Sequence, residues 1–228
     1  MALTDNIKAV LFDFDDTLQS REDAYVGYCN LFLDEFFPDI SAEERKSKQS
    51  DMEKYVEGGY RQRESYFTEL ISVWNWENAP ALDELCKHYN ANFGRFVSVF
   101  PDSLEVIATL RENGYLLGIV SNGPSELQNM KMDTAGIRDL FDEVIISGDY
   151  GVHKPDRRLF DLAAEKIGVK NEECLFVGDH PVNDIQGALG ADMKAVWMNY
   201  GYFKDQCKED VPEIKKIIEL LDLFPHLK

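Results

Sequence analysis

Three carboxylates follow an apolar run near the start of the chain, in residues 10–18 (VLFDFDDTL). Asp13, Asp15 and Asp16 come directly after a stretch whose texture is typical of a strand buried on both faces. Clustered aspartates repel one another and are costly to remove from water, so we expect a cation among them. A turn with a helix N-cap would use the same residue types. This segment alone therefore leaves both interpretations open.

Three further groups of polar residues each follow an apolar run later in the chain. They are Ser121 with Asn122, then Lys154, then Asp179 with Asp184. If the apolar runs are parallel strands, these groups lie beyond the strand ends, where open α/β sheets bind ligands. A carboxylate nucleophile, an acid or base, a cation, hydroxyl and amide donors, and ligands for a hard metal ion together suit phosphoryl transfer. The combination favours a functional site over four unrelated turns.

The elements that must position these groups alternate between strand and helix from about residue 100 onward. Strands are predicted at residues 7–14, 115–120, 143–147, 174–177 and 194–198. Helices are predicted at residues 125–135, 156–167, 184–189 and 212–221. Such alternation predicts a mostly parallel sheet with helices on both faces.

Residues 19–97 have a different texture. Apolar residues recur there at helical spacing, which predicts about four helices and no strand. The segment holds 14 of the 27 aromatic residues, and a small helical unit needs large side chains to fill its own interior. We therefore predict a doubly wound, Rossmann-like α/β core, residues 1–18 and 98–228, interrupted by an all-helical domain at residues 19–97.

Composition limits the partners of this 228-residue chain. Its formal net charge of −18 argues against nucleic acid polymers and anionic membranes as partners. A small anionic substrate would need a local cation to overcome that field. The four cysteines are far apart and form no CxxC motif, and neither a signal peptide nor a membrane helix is evident. A cytoplasmic location and a monomer or homodimer are expected.

The four groups together resemble the motifs of the haloacid dehalogenase superfamily. Residues 13–17 (DFDDT) match its DxDxT motif, and Ser121, at the end of GIVSN, matches the second motif. Lys154 in HKPD matches the third motif, and residues 178–184 (GDHPVND) match the acidic GDxxxxD motif. The motifs occur in the family's order and span the chain. The helical insertion after the first motif is similar to the C1-type cap of subfamily I phosphatases.

The resemblance implies a role for each matched residue. Asp13 would attack phosphorus and form an aspartyl-phosphate. Asp15 would protonate the leaving oxygen and later activate water. Lys154 would offset the negative charge of the nucleophile and the phosphate. Ser121 and the neighbouring backbone, at Asn122, would donate hydrogen bonds to phosphoryl oxygens, and Asn122 would also be a supporting residue.

The resemblance also implies Mg²⁺ as cofactor and the inserted domain as a lid. The ligands would be Asp13, the backbone carbonyl of Asp15, and Asp179. Asp184 would bind directly, through water, or by holding the ligand shell in place. Asp16 and Thr17 would be supporting residues, with Thr17 fixing the loop by hydrogen bonds.

Several activities fit this resemblance. Asp15 supplies an acid for an alkoxide leaving group, which favours hydrolysis of a small soluble phosphate ester over dehalogenation. The texture and the aromatic insert favour a nucleoside monophosphate, while a sugar phosphatase and a sugar phosphomutase stay open. A phosphonate hydrolase would need a lysine of the insert, of which there are four: Lys46, Lys48, Lys54 and Lys87. A phospho-accepting signalling domain is the alternative from another class, although such receivers are usually single small domains.

Other residues beside the motifs or in the insert are interpreted as structural. His153 and His180 adjoin motif residues but have no partner histidine at metal-ligand spacing. Arg61 and Arg63 fit a solvated helix face better than a substrate anchor. Trp74 and Trp76 flank Asn75 in a predicted break between helices, where we expect them to pack.

Overall fold

The computed structural model describes residues 6–227. The chain forms two compact units: an α/β core, which runs up to Ser20 and resumes at Ser98, and a helical insert, Arg21–Val97. Among the described residues, no helix combines the length and the apolar character needed to cross a membrane.

The core is built on one sheet of six parallel strands. The strands are β1 (Ala9–Phe12), β2 (Leu116–Ser121), β3 (Glu143–Ile146), β4 (Cys174–Gly178), β5 (Lys194–Met198) and β6 (Glu213–Ile214). Their order across the sheet is β3-β2-β1-β4-β5-β6. Ala9 lies opposite Leu116 on one side and Cys174 on the other, so β1 is central. The predicted fold class is confirmed.

Nine α-helices occur in the described part of the chain. They are α1 (Arg21–Phe36), α2 (Ala42–Val56), α3 (Arg63–Val73), α4 (Leu82–Asn92), α5 (Pro101–Glu112), α6 (Ser125–Ala135), α7 (Ser147–Tyr150), α8 (Arg157–Ile167) and α9 (Gly187–Gly190). The first four form the insert. Helix α6 has the predicted bounds, residues 125–135. Helix α8 was predicted to begin at residue 156 and begins one residue later, because Asp156 is its N-cap.

The core interior forms because the strands are apolar on both faces. Every residue of β1 is buried, and Leu11 packs in one cluster with Phe160 of α8 and Phe176 of β4. Successive strand residues point to opposite faces, and Phe12 contacts the edge of Phe141. The carboxylates that follow β1 therefore come directly after a segment in which every residue is buried.

The insert fills its interior with aromatic rings. Tyr28 lies at 4.6 Å, centroid to centroid, from Tyr89, which stacks on Phe93 at 4.9 Å. The hydroxyls of Tyr25 and Tyr66 hydrogen-bond each other, and Tyr25 also donates to the carbonyl of Met52. These bonds satisfy polar atoms that burial would otherwise leave costly.

The prediction of a helix at residues 212–221 is wrong. Residues 213–214 form β6 instead, and a 3₁₀-helix covers Ile217–Leu223. The amides of Trp197 and Asn199 donate to the carbonyls of Pro212 and Ile214, so this segment extends the sheet. The apolar spacing predicted correctly that Ile214 is buried. The segment nevertheless pairs with β5 as a strand and does not form the helix that the same spacing predicted.

Candidate active site

The sheet order brings the predicted residues to one edge. β2 and β4 flank β1, so Ser121, Asp13 and Asp179 lie at the carboxyl ends of three neighbouring strands. This is the edge at which open parallel sheets bind ligands. All three side chains are buried in the structure.

A tight loop follows β1 and fixes its carboxylates. The Leu18 amide donates to the carbonyl of Phe14, and the Asp16 amide donates to the carbonyl of Gln19. Asp16 has a left-handed backbone, with φ of 61°, and its carboxyl lies against Gly201, where a Cβ would come within 2.9 Å. Asp16 therefore helps to shape the loop. The Thr17 amide donates to the Phe14 carbonyl at 3.4 Å, so Thr17 contributes a hydrogen bond to the loop, whereas its hydroxyl has no hydrogen-bond partner among the described residues.

Lys154 bridges two carboxylates inside the site. Its ammonium nitrogen lies 2.6 Å from Asp13 Oδ1 and 2.7 Å from Asp184 Oδ1. The Asn122 side chain accepts from the Lys154 amide at 2.9 Å and donates to the Lys154 carbonyl at 3.0 Å. Both polar atoms of the Asn122 side chain thus brace Lys154. A phosphate contact from Asn122 would have to come from its backbone instead of its side chain.

The burial of this group changes its protonation. Burial raises the pKa of Asp13 to about 7, against the opposing effect of Lys154, and the nearby carboxylates of Asp184 and Asp15 raise it further. Burial lowers the pKa of Lys154, but Asp13 and Asp184 outweigh it, so the pKa of Lys154 is raised overall. The lysine is therefore a fixed positive charge, whereas Asp13 titrates near neutrality.

Three buried carboxylates could hold a metal ion. Asp13, Asp179 and Asp184 each offer an oxygen atom, and these atoms lie within 4.8 Å of one another. The indole N–H of Trp197 donates to the Asp179 carbonyl at 2.9 Å. The His180 amide donates to Asp184 Oδ2 at 2.9 Å. Both bonds hold the acidic segment against the strand end.

A π-helix, Pro181–Gln186, brings Asp184 back to the site. An α-helix was predicted at residues 184–189. The π-helix covers the first part of that range, and α9 follows it. A Cβ on Gly178 would lie only 2.5 Å from Asp184 Oδ2, so glycine is required for this close approach. The His180 ring accepts hydrogen bonds from the amides of Val182 and Asn183, which matches its structural interpretation.

The charges of the site fit a divalent cation. Five buried carboxylates and two buried lysines occur in this region. They are Asp13, Asp15, Asp16, Asp179 and Asp184 against Lys131 and Lys154. When all are ionised, three negative charges are left over, and the donors are hard oxygen atoms. Mg²⁺ prefers such donors, so the residues present fit the ion that the family resemblance implies.

The carboxylate of Asp15 points to partners that the sequence did not reveal. Lys131 Nζ lies 2.9 and 2.8 Å from its two oxygens, and Gln128 Nε2 lies 3.1 Å from Oδ2. Gln19 Nε2 also donates to Asp15 Oδ1. Gln128 Nε2 lies 2.6 Å from Ser121 Oγ as well. The only sequence signal was a glutamine and a lysine three residues apart among apolar residues of a predicted helix.

The other candidates make structural contacts. His153 Nδ1 lies 2.8 Å from Ser147 Oγ, which in turn accepts from the Gly123 amide. In the insert, Arg61 pairs with Glu69 at 3.1 Å, and Arg63 lies 4.0 Å above the Tyr89 ring.

Both tryptophans that flank Asn75 and three of the insert's four lysines also make contacts within the insert. Trp74 donates to Asp51 at 2.9 Å, and Trp76 packs on Phe37 at 4.7 Å between centroids. Lys48 lies 4.1 Å from the Trp74 ring centroid, and burial lowers its pKa. Lys54 and Lys87 instead have a raised pKa, caused first by hydrogen bonds to Tyr55 and Asp83 respectively.

Comparison with known proteins identifies the family. The model of the haloacid dehalogenase-like hydrolases matches residues 10–198, which include the site residues described above. This chain belongs to the haloacid dehalogenase-like hydrolases.

Named relatives span most of the chain. Glyceraldehyde 3-phosphate phosphatase of Methanopyrus kandleri is 33% identical over 97% of this chain and 98% of its own length. The pyrimidine 5'-nucleotidase YjjG of Escherichia coli is 28% identical over 83% and 85%. Among solved structures, YfnB of Bacillus subtilis bound to magnesium superposes with a TM-score of 0.74 at 21% identity, covering 95% of this chain and 98% of its own.

Proposed function

We propose that this protein is a Mg²⁺-dependent phosphomonoester hydrolase that forms an aspartyl-phosphate on Asp13. The observation that carries the proposal is the buried contact of Asp13 with Lys154, within reach of the Asp179 and Asp184 carboxylates. Relatives named as phosphatases support the reaction class. The small-ester substrates in their names support a small, soluble phosphorylated substrate.

In the first step, an Asp13 carboxylate oxygen attacks phosphorus while the bond from phosphorus to the ester oxygen breaks. Asp15 gives its proton to that leaving oxygen. In the second step, Asp15 takes a proton from water, the hydroxide oxygen bonds to phosphorus, and Asp13 leaves as a carboxylate. Lys154 neutralises charge on Asp13 throughout.

Mg²⁺ would be held by Asp13, Asp179, the backbone carbonyl of Asp15 and, directly or through water, Asp184. When bound, it supplies positive charge that stabilises negative phosphoryl oxygens. Ser121 would donate to those oxygens from the end of β2.

The test compares two aspartates that lie two residues apart. Asp13→Asn removes the nucleophile, so no phosphoenzyme forms. Asp15→Asn keeps the nucleophile but removes the acid and base, which typically costs about 10² to 10⁴ in rate. With p-nitrophenyl phosphate, whose leaving group needs little protonation, the second step suffers more than the first.

Intact-mass spectrometry after acid quench should therefore find one added phosphoryl group in Asp15→Asn and none in Asp13→Asn. Borohydride reduction should locate that group at position 13. Equal labelling of both variants, or a label on Asp15 in the unmodified protein, contradicts the assigned roles. A phosphoenzyme that lasts for minutes in the unmodified protein would indicate the phospho-accepting signalling domain instead.

We also propose that the helical insert acts as a lid that selects the substrate. Its position in the chain, directly after the loop that carries Asp13 and Asp15, supports this role. Replacing residues 21–97 by a short linker retains Gln19 and the core. Hydrolysis of small esters should persist, while discrimination between triose phosphates, sugar phosphates and nucleoside monophosphates is lost. Unchanged relative rates across that panel would show that the insert has another role.

A further inference from the structure

Helix α6 carries two buried polar side chains toward the site. Gln128 and Lys131 are three residues apart, so they lie on one face of the helix. Gln128 is 1% exposed and Lys131 is 4% exposed. Both reach Asp15, which is more than 100 residues away in the chain.

These contacts define the orientation of the Asp15 carboxylate. Lys131 contacts both of its oxygens, Gln19 contacts Oδ1, and Gln128 contacts Oδ2. Gln128 contacts Ser121 Oγ through the same nitrogen. One side chain therefore links the residue proposed for proton transfer to the residue proposed for phosphate binding.

The loop before α6 is shaped to admit Gln128. Gly123 has φ of 152°, and a Cβ there would lie 2.9 Å from Gln128 Cγ. Stability alone gives little reason for the arrangement, because apolar side chains of similar volume often replace a buried ion pair without loss. A role in the reaction accounts for the burial of both polar groups.

We propose that Lys131 and Gln128 are positioning residues for proton transfer by Asp15. They fix the direction of the carboxylate oxygens. Asp15 is thereby oriented both to give its proton to the leaving oxygen and, in the second step, to take a proton from water. This inference rests on the proposed function, because it assumes that Asp15 is the acid and base.

The test is a double-mutant cycle that joins Lys131→Met with Asp15→Asn. Alone, Lys131→Met should lower kcat by a factor on the order of 10², the scale of a misplaced catalytic group, with little change in KM. The loss should be larger for alkyl phosphates than for p-nitrophenyl phosphate, since only alkoxides need the proton. In the Asp15→Asn background, Lys131→Met should have almost no further effect on kcat.

A second variant guards against a folding failure of Lys131→Met, which leaves the Asp15 charge buried. Gln128→Met keeps the ion pair and removes only the donor to Asp15 and Ser121. It should lower kcat roughly tenfold with the same dependence on the leaving group. Glu126→Gln, an exposed residue of the same helix, is the matched control and should leave kcat unchanged.

The outcomes separate this inference from the proposed function. If Asp15→Asn keeps full activity, the acid and base assignment itself fails. If Asp15→Asn is slow but both positioning variants hydrolyse alkyl esters at the normal rate, only the positioning inference is overturned. An equal loss from Lys131→Met with and without Asp15 also overturns it, because the role would then be structural.

Discussion

The α/β core and the helical insert fill their interiors in different ways. Within residues 6–227, every buried charged side chain belongs to the core, and most of them gather at one sheet edge. The insert buries tyrosine hydroxyls, which pair with each other, with backbone or with the His88 ring, among aromatic rings. Buried charge reduces stability unless it is paired. The comparison therefore indicates that the core's interior serves a reaction, whereas the insert's interior serves packing.

Chelation of the metal should have the largest effect. Hydrolysis of p-nitrophenyl phosphate should disappear with EDTA and return with Mg²⁺, because the surplus negative charge of the core site needs a divalent cation. The far-ultraviolet circular dichroism spectrum, dominated by helices, should hardly change. Full activity after thorough chelation would contradict the proposal that the buried carboxylates of the core hold a metal ion needed for the reaction.

Next in size is the loss of a lysine from each unit. Lys154→Met leaves Asp13 and Asp184 without their shared cation, which should cost about 3–5 kcal/mol in unfolding free energy and abolish turnover. Lys87→Met in the insert breaks an exposed pair with Asp83 and should leave stability nearly unchanged. Urea unfolding followed by fluorescence measures both. Similar decreases in unfolding free energy in the two variants would mean that burial does not make one ion pair more important for stability than the other.

A smaller effect concerns pH. Burial raises the pKa of Asp13 from its ordinary value of 3.8 to about 7, so between these values the folded chain binds more protons than the unfolded chain. Stability without metal should therefore decrease as pH rises from about 4 to 7. Mg²⁺ must displace that proton, so its affinity should rise up to about tenfold per pH unit below 7 and then level off.

Calorimetric titration with Mg²⁺ in buffers of different ionisation enthalpy would measure both the affinity and the proton release. In metal-free Asp13→Asn, the decrease in stability over this pH range should be smaller than in the unmodified protein. A pH-independent affinity would place the titrating group elsewhere.

The smallest expected effect tests a property that the two units share. Burial raises the pKa of Cys29 in the insert and of Cys174 in the core to about 12. Both should resist a thiol reagent such as DTNB until the protein unfolds, while the half-buried Cys86 and Cys207 react first. Rapid reaction of Cys29 alone would show that the insert's interior opens more readily than the core's.

Much of the fold could be predicted because the apolar patterns were long and bounded. Residues 194–198 and 125–135 were predicted with the bounds seen in β5 and α6. Helical spacing misled at residues 212–221, where a partner strand 15 or more residues away decided the outcome. Local periodicity reports which residues are buried, but not which element buries them.

The site could be predicted as far as the strand ends allowed. Asp13 directly follows β1, Asp184 lies six residues after β4, and Lys154 lies eight residues after β3, beyond α7, so topology brings them together. Gln128 and Lys131 lie inside a helix, where their turn toward Asp15 depends on tertiary packing that sequence spacing does not contain. Asn122 was assigned both to phosphate and to a supporting role, but the sequence did not indicate the partner of its side chain, the backbone of Lys154, which is 32 residues away.

The central place of β1 has a consequence for how the protein is made. A ribosome synthesises β1 before the other five strands of this sheet, yet the neighbours of β1 contain Leu116 and Cys174, so β1 waits for both. At roughly 5–20 residues per second, that delay lasts several seconds or more, and non-local pairing is slow once the strands are available. The helical insert, whose contacts are local, can fold during that interval. The candidate site therefore forms late: in a nascent chain that has not reached β4, Asp13 follows a strand that can pair only with β2, on one of its two sides.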